Sequence, residues 1–337
     1  MKAVGFKTSL PIAAADSFID FETEKPIPQG HELLVKINAI AINPVDYKIR
    51  QNAAKDTELA DPKIIGWDAC GVVEAVGNEV SLFKVGDEVY YAGDITKPGC
   101  NAEYQVIDER IVGRKPKTLI NEEAAAMPLT TLTAWEILFD RIRISAEKDT
   151  GKTLLIIAGA GGVGSIAVQL AKKIAGLKVI ATASRPESIE WCKRMGADLV
   201  VNHKNLTAEV RNSGYHYVDF IVDFVDANAY WDEMVELIKP QGHIASITGS
   251  ATPIALNKLK TKSASFSWEF MYTRPTFQTE DMIEQHHILN KVANLIDEGV
   301  LVHTLTQTLT GLSAATLKQA HEQLESGTTI GKLAIKL

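Results

Sequence analysis

The segment TLLIIAGAGGVG, Thr153 to Gly164, constrains this chain more than any other. Thr153 to Ala158 is a continuous apolar run, the pattern of a parallel strand buried on both faces. Gly159-Ala160-Gly161-Gly162-Val163-Gly164 follows at once and matches G-x-G-x-x-G. Ile166, Leu170 and Ile174 then share one helical face, with Ala167 and Ala171 beside them. Strand, glycine turn and helix in this order begin a βαβ unit that holds a dinucleotide. The first glycine allows the tight turn, the second lets a pyrophosphate approach the backbone, and the third lets helix and strand pack closely. Free N–H groups and the positive dipole end of the helix then face the phosphates. A tight turn without a ligand is the competing reading, but so many glycines are costly unless something must come close.

The surrounding pattern agrees. KVIATA (178–183) is the next strand, and Pro186 opens a helix that ends at Met195-Gly196. LVV, VDFIVDFV and HIASIT are later strands, the last preceded by a turn at Pro240-Gln241-Gly242. Residues 123–269 therefore read as a doubly wound parallel sheet of the Rossmann type within an α/β protein. Residues 1–122 are β-rich, with strands at Lys2 to Phe6, His31 to Ile42 and Ala69 to Gly77, and a turn at Val85-Gly86 feeding another. They predict an irregular, barrel-like β domain. After residue 270 come a polar, aromatic loop, helices at Met282 to Glu298 and Ala314 to Ser326, and an alternating strand, KLAIKL. That strand is expected to return to the N-terminal domain, the parallel sheet being complete.

Charge and cysteine content narrow the function. The formal charge is −7, from 35 basic and 42 acidic residues, and no polybasic run appears. Nothing draws such a chain to nucleic acid or to an anionic membrane. Thr153 to Ala171 is uncharged over about the length of a bilayer span, but four glycines interrupt it. The N-terminus lacks the apolar core of a signal peptide. Three widely spaced cysteines, Cys70, Cys100 and Cys192, form no disulfide framework and fit a reducing cytoplasm.

The end of the second strand bears on the dinucleotide. A fold selective for NAD places an acid there, to hold the ribose 2′-hydroxyl. This chain has Ala183-Ser184-Arg185. Ser184 can donate a hydrogen bond and Arg185 offers a charged fork to a phosphate, which favours NADPH.

Taken together, the residues resemble the medium-chain dehydrogenase/reductase superfamily, in its quinone oxidoreductase branch and the group called zinc-type alcohol dehydrogenase-like. The resemblance is carried by Asn43-Pro44-Val45-Asp46, by Gly66-Trp67-Asp68-Ala69-Cys70-Gly71, and by Phe83-Lys84-Val85-Gly86-Asp87. Ala124-Ala125-Ala126-Met127-Pro128-Leu129, Leu132-Thr133-Ala134, the glycine turn and Gly331-Lys332 continue it, and Trp268 to Pro275 marks the narrower group. It implies a GroES-like catalytic domain formed by residues 1–122 and 270–337, with the Rossmann domain at 123–269 between them, and a homodimer.

The resemblance also implies roles. Asn43 and Tyr47 would lie beside the nicotinamide and donate to the acceptor oxygen, with Asp46 fixing their loop. Thr133 would hold the carboxamide, and Ser246 and Ile247 would contact the same ring. His203 would lie near the 2′-phosphate, and Lys332 would reach the cofactor. Where zinc-holding members carry ligands, this chain has Asn43, Trp67 and Leu129, so no metal is expected. His286-His287 point to different helical faces and form no clamp. Without a Lewis acid, a hydride from the cofactor suits acceptors that are already activated, namely quinones or α,β-unsaturated carbonyls. The alternatives are a zinc alcohol dehydrogenase with atypical ligands and a non-catalytic NADPH-binding redox sensor.

Overall fold

The computed structural model describes all 337 residues, in two units: residues 1–129 with 272–337, and residues 130–271. The first unit opens with β1 (Lys2–Phe6), β2 (Ile19–Glu22), β3 (Glu32–Ala41), α1 (Pro44–Asn52), β4 (Lys63–Ile64) and β5 (Asp68–Val76). Next come β6 (Glu88–Tyr91), β7 (Tyr104–Asp108), β8 (Val112–Arg114) and α2 (Asn121–Ala125). β1 lies between β2 and β4 in a small antiparallel sheet. β3 organises the larger one. Its apolar residues Leu33, Leu34, Val35, Ile37, Ile40 and Ala41 are buried, and it pairs antiparallel with both β5 and β7. Two register shifts against β5 bend this pair, as bulges do.

Helix α3 (Pro128–Trp135) carries the chain into the second unit. There α4 (Ala146–Asp149), β9 (Thr153–Ile157), α5 (Gly162–Gln169), β10 (Lys178–Thr182), α6 (Pro186–Met195), β11 (Leu199–Val201) and α7 (Leu206–Asn212) follow in turn. β12 (Val218–Asp223), α8 (Trp231–Leu237), β13 (Ile238–Ser246) and β14 (Ser265–Trp268) complete it. The six strands are parallel in the order β11-β10-β9-β12-β13-β14. This is the doubly wound order 3-2-1-4-5-6, with its reversal between β9 and β12. All of β9 is buried, as its unbroken apolar run requires.

The chain then returns to the first unit. It forms α9 (Thr273–Phe277), α10 (Glu284–Asp297), β15 (Leu305–Thr310), α11 (Ala314–Glu325) and β16 (Lys332–Lys336). β16 pairs with the end of β3, with Ala334 opposite Ala41. No helix is long and apolar enough to cross a membrane.

The structure differs from the sequence reading in detail. The parallel sheet is complete before the chain returns, as expected, but it includes an unexpected sixth strand, β14. Its sequence, SFSW, is short and lies at the sheet edge, where one side stays wet and no long apolar run is needed. Pro240-Gln241-Gly242 does not end a strand: β13 runs through it, Gln241 takes a φ of 63°, and the register against β12 shifts there. Residues 123–129 lie in the first unit rather than the second, and residues 270–271 lie in the second. Thr-rich β15 leaves a weak signal because its half-buried positions alternate with exposed ones and only Leu305 and Leu309 are strongly hydrophobic.

Candidate functional site

The glycine turn is built at the end of β9. Ala158 takes the left-handed conformation, with φ 67°, so the strained residue of the bend is this alanine and not Gly159. Its N–H donates to Thr182 Oγ1 at 2.9 Å, and the Gly159 N–H donates to the Thr182 carbonyl at 3.1 Å, tying the turn to β10. A Cβ at Gly159 would stand 2.7 Å from the Ala181 methyl. A Cβ at Gly164 would collide with the Ala158 carbonyl oxygen and stand 2.7 Å from that of Gly159. Gly161 differs: a Cβ there would meet nothing closer than Ala158 O at 3.6 Å. Protein packing thus explains two glycines and leaves the third without a steric cause inside the chain. Gly161 is the N-cap of α5, where the first N–H groups have no intrahelical acceptor. An open backbone at a helix start fits the approach of a pyrophosphate. Behind the turn, Trp191 Nε1 donates to Ser165 Oγ at 2.8 Å, and Ser165 Oγ donates to the Gly161 carbonyl at 2.6 Å. Thr182, Ser165 and Trp191 were not singled out from the sequence. Their role is packing support, which leaves no motif.

Ser184, Arg185 and His203 stand at the carboxyl ends of neighbouring strands β10 and β11, whose register pairs Thr182 with Val201. Ser184 is exposed. Arg185 is the N-cap residue of α6, its side chain 41% exposed and 3.6 Å from Glu187 Oε1. His203 opens a short turn after β11 and is half-buried.

At the ends of β12 and β13, Ser246 and Ile247 are already engaged. Ser246 Oγ donates to Asp223 Oδ2 at 2.8 Å, and the Ile247 N–H donates to the Asp223 carbonyl at 3.3 Å. Asp223 also accepts from the N–H groups of Val225 and Asp226 and from Thr248 Oγ1. It is a buried organising acid that sequence reading missed, because one aspartate at a strand end has no signature. Thr133 is buried within α3.

In the first unit, a buried polar cluster gathers at the start of α1. Asn43 and Asp46 form its capping box: the Asn43 N–H donates to Asp46 Oδ2 at 2.8 Å. Asn43 Nδ2 donates to Asp68 Oδ2 at 2.8 Å. Asp68 Oδ1 accepts the Leu129 N–H at 2.7 Å. Lys332 Nζ, on a residue only 3% exposed, donates to Ile42 O at 3.1 Å, Asn43 Oδ1 at 2.5 Å and Asp68 Oδ2 at 2.8 Å. The three protons of this ammonium are therefore committed within the cluster, so it has none left for a cofactor. Asn43 is likewise held at both amide atoms and has no strong donor to spare.

Asp46 is fully buried and its Oδ1 has no partner. Burial pushes its carboxyl up to about 7, against the pull of the Asn43 N–H and Lys332. Tyr47 is half-buried, and its hydroxyl makes no hydrogen bond in the structure. Burial, and next the charge of Glu325, raise its pKa, so it stays protonated as a donor.

These residues do not suit zinc. Trp67 is buried and its Nε1 donates to the Asp94 carbonyl at 3.0 Å, while the Leu129 side chain has no ligating atom and its N–H donates to Asp68. Burial raises the pKa of all three cysteine thiols, that of Cys192 to about 12, so none is a ready thiolate. His286 Nδ1 faces the Val112 carbonyl and His287 Nδ1 faces Glu284, so the two rings are engaged by different partners.

Comparison with known proteins adds a lineage. Residues 29–117 match the family model for the alcohol dehydrogenase GroES-like domain, and residues 162–285 match that for the zinc-binding dehydrogenase. The chain is 45% identical to a zinc-type alcohol dehydrogenase-like protein of Staphylococcus epidermidis, covering 100% of both. It is 48% identical to a Rhizobium etli protein assigned as a zinc-dependent alcohol dehydrogenase, with a TM-score of 0.95 over 100% of this chain and 98% of the other. It is 26% identical to the Escherichia coli quinone oxidoreductase solved with NADPH, with a TM-score of 0.84 over 100% of both chains.

Proposed function

We propose a reaction from one premise: the chain belongs to the medium-chain dehydrogenase/reductase superfamily, within its zinc-type alcohol dehydrogenase-like group. The reaction is NADPH-dependent reduction of quinones or α,β-unsaturated carbonyls, without a metal. The observation that carries it is Gly161, whose open face at the start of α5 has no use in the packing of the chain but suits a pyrophosphate. Bound nicotinamide supplies the hydride. Arg185 and Ser184 would read the 2′-phosphate, with His203 beside them, and Thr133 would hold the carboxamide. Ser246 and Ile247, tied to Asp223, would shape the wall near the ring.

As the acceptor takes up hydride, its oxygen gains negative charge and needs a donor. Tyr47 is the better candidate, because its hydroxyl is unengaged and held protonated. Asn43 supports it by starting α1. The lack of a Lewis-acid ligand set restricts substrates to acceptors activated by their own conjugation. The same reading includes a cytoplasmic location, in keeping with three free buried thiols, and a homodimer. The edge strand β14, with Trp268 46% exposed, leaves backbone groups for a second copy.

The test is NADPH oxidation, followed optically, against a panel of quinones, enones, simple ketones and alcohols. Turnover confined to quinones and enones is expected. Turnover of alcohols that needs added zinc would instead favour a metal-dependent dehydrogenase. Tight NADPH binding with no turnover would favour a redox sensor.

A further inference from the structure

Asn43 and Leu129, two of the positions where the resemblance places zinc ligands in metal-holding members, both reach Asp68, and Asn43 and Asp68 together hold an ammonium. Asp68 is reached by Asn43 Nδ2, the Leu129 N–H and Lys332 Nζ, at 2.7 to 2.8 Å, and Trp67 precedes it. Seen from Lys332, a carboxylate oxygen, an amide oxygen and the Ile42 carbonyl point at one centre. Such oxygen donors suit a hard divalent cation. Here they hold Nζ at 2.5 to 3.1 Å, the range of N–H···O bonds. Strand pairing delivers the charge. β16 runs antiparallel beside the end of β3, the Ile42 N–H donates to the Leu333 carbonyl, and Lys332 N donates to Thr304 O. Lys332 is thereby set against Asn43 from the opposite end of the chain.

We propose that Lys332 is the resident cation of this site: it takes the place a metal would occupy, excludes zinc, and acts as a positioning residue that orients Asn43 and Asp68. Two cations cannot share a centre this small and buried, because their repulsion is hardly screened there. The ammonium also fixes which way the Asn43 amide faces, since Oδ1 accepts from Lys332 while Nδ2 donates to Asp68. Asn43 starts α1, and Tyr47 lies in the first turn of that helix. Only the kinetic part of this proposal rests on the reductase reading.

The test uses the full chain and four proteins: the parent, Lys332→Met, Asp68→Asn, and Lys332→Met with Asp68→Asn. After incubation with zinc sulfate and desalting, the parent should retain substoichiometric zinc by mass spectrometry, and zinc should not raise its melting temperature. One zinc per chain in the parent, lost in Asp68→Asn, would overturn the proposal. Lys332→Met leaves Asp68 buried and uncompensated, so it should melt lowest, or fail to fold, while the double variant recovers. Lys332→Met as stable as the parent would also overturn it. If neither Lys332→Met protein folds, the zinc measurement on the parent decides. In the double variant kcat should fall about tenfold through lost positioning, with the NADPH Kd unchanged. A weakened Kd would place Lys332 on the cofactor and overturn the positioning role. The metal and melting results stand even if no quinone or enone is reduced.

Discussion

Arg185 shows how far a single residue can be read from its neighbours. Its place after a strand end and before Pro186 was legible, because proline at the first helical position fixes the boundary. Its side chain lies 3.6 Å from Glu187, at an exposure where an ion pair is worth little. Charge-assisted hydrogen bonds to a phosphate contribute about 1.5–3 kcal/mol. Arg185→Ala is therefore expected to weaken NADPH binding by roughly 10- to 100-fold and NADH binding hardly at all. Titration calorimetry with both nucleotides checks this, and equal losses would show that Arg185 does not read the 2′-phosphate. Lys332 shows the reverse. Its sequence neighbourhood, Gly331-Lys332 near the chain end, says nothing of Asp68, and only the pairing of β16 with β3 brings the two together.

At the scale of elements, strand, turn and helix around Gly159 to Gly164 were legible as a unit, because the glycines recur at the spacing of a phosphate-holding turn. Their steric surroundings differ, and so do the expected effects. Gly164→Ala forces a methyl into the Ala158 carbonyl, a rigid backbone contact, and should cost about 3 kcal/mol or more of stability. Gly161→Ala meets no close neighbour and should cost under about 1 kcal/mol, the scale of an N-cap change. Yet Gly161→Ala should weaken NADPH binding by about tenfold or more, equivalent to about 1.4 kcal/mol. Urea denaturation and nucleotide titration of both variants separate the two effects. Unchanged NADPH affinity in Gly161→Ala would remove the case for a pyrophosphate at that glycine. β14 and the Pro240-Gln241-Gly242 stretch were not legible at this scale. An edge strand needs only half of its residues buried, and a bulge lets a turn-like tripeptide stay in a ladder.

At the scale of the molecule, two buried groups in the first unit couple folding to pH with opposite signs. Asp46 has a folded value of about 7 against an ordinary 3.8. The folded chain keeps a proton there that the unfolded chain has lost, so the stability this group contributes is full below pH 3.8 and fades as pH rises through 7. His321 is fully buried, both ring nitrogens lack partners, and burial followed by the charge of Arg50 lowers it from 6.5 to about 3. Its contribution is full above pH 6.5 and fades as pH falls toward 3. Between these limits the two slopes, each about 1.4 kcal/mol per pH unit, cancel. Relative to the parent, Asp46→Asn should gain stability with rising pH across that window, and His321→Leu should lose it. Denaturant titrations at a series of pH values check both signs, and parallel curves for parent and variant would refute the assignment of that group.

The sequence by itself determined the parallel sheet, its glycine turn, the β-rich N-terminal domain and the return of the last strand. These depend on periodicity, apolar runs and glycine sterics acting over a few residues. The tertiary structure alone decided which polar groups are spent and which remain available. It committed Lys332 to Asp68 and Asn43, tied Ser246 to Asp223, left Asp46 Oδ1 and both His321 ring nitrogens without partners, and left the Tyr47 hydroxyl unengaged. The reason is physical: a hydrogen bond or a buried charge is settled by atoms within a few ångströms, and here those atoms come from residues as far apart in the chain as Asn43 and Lys332.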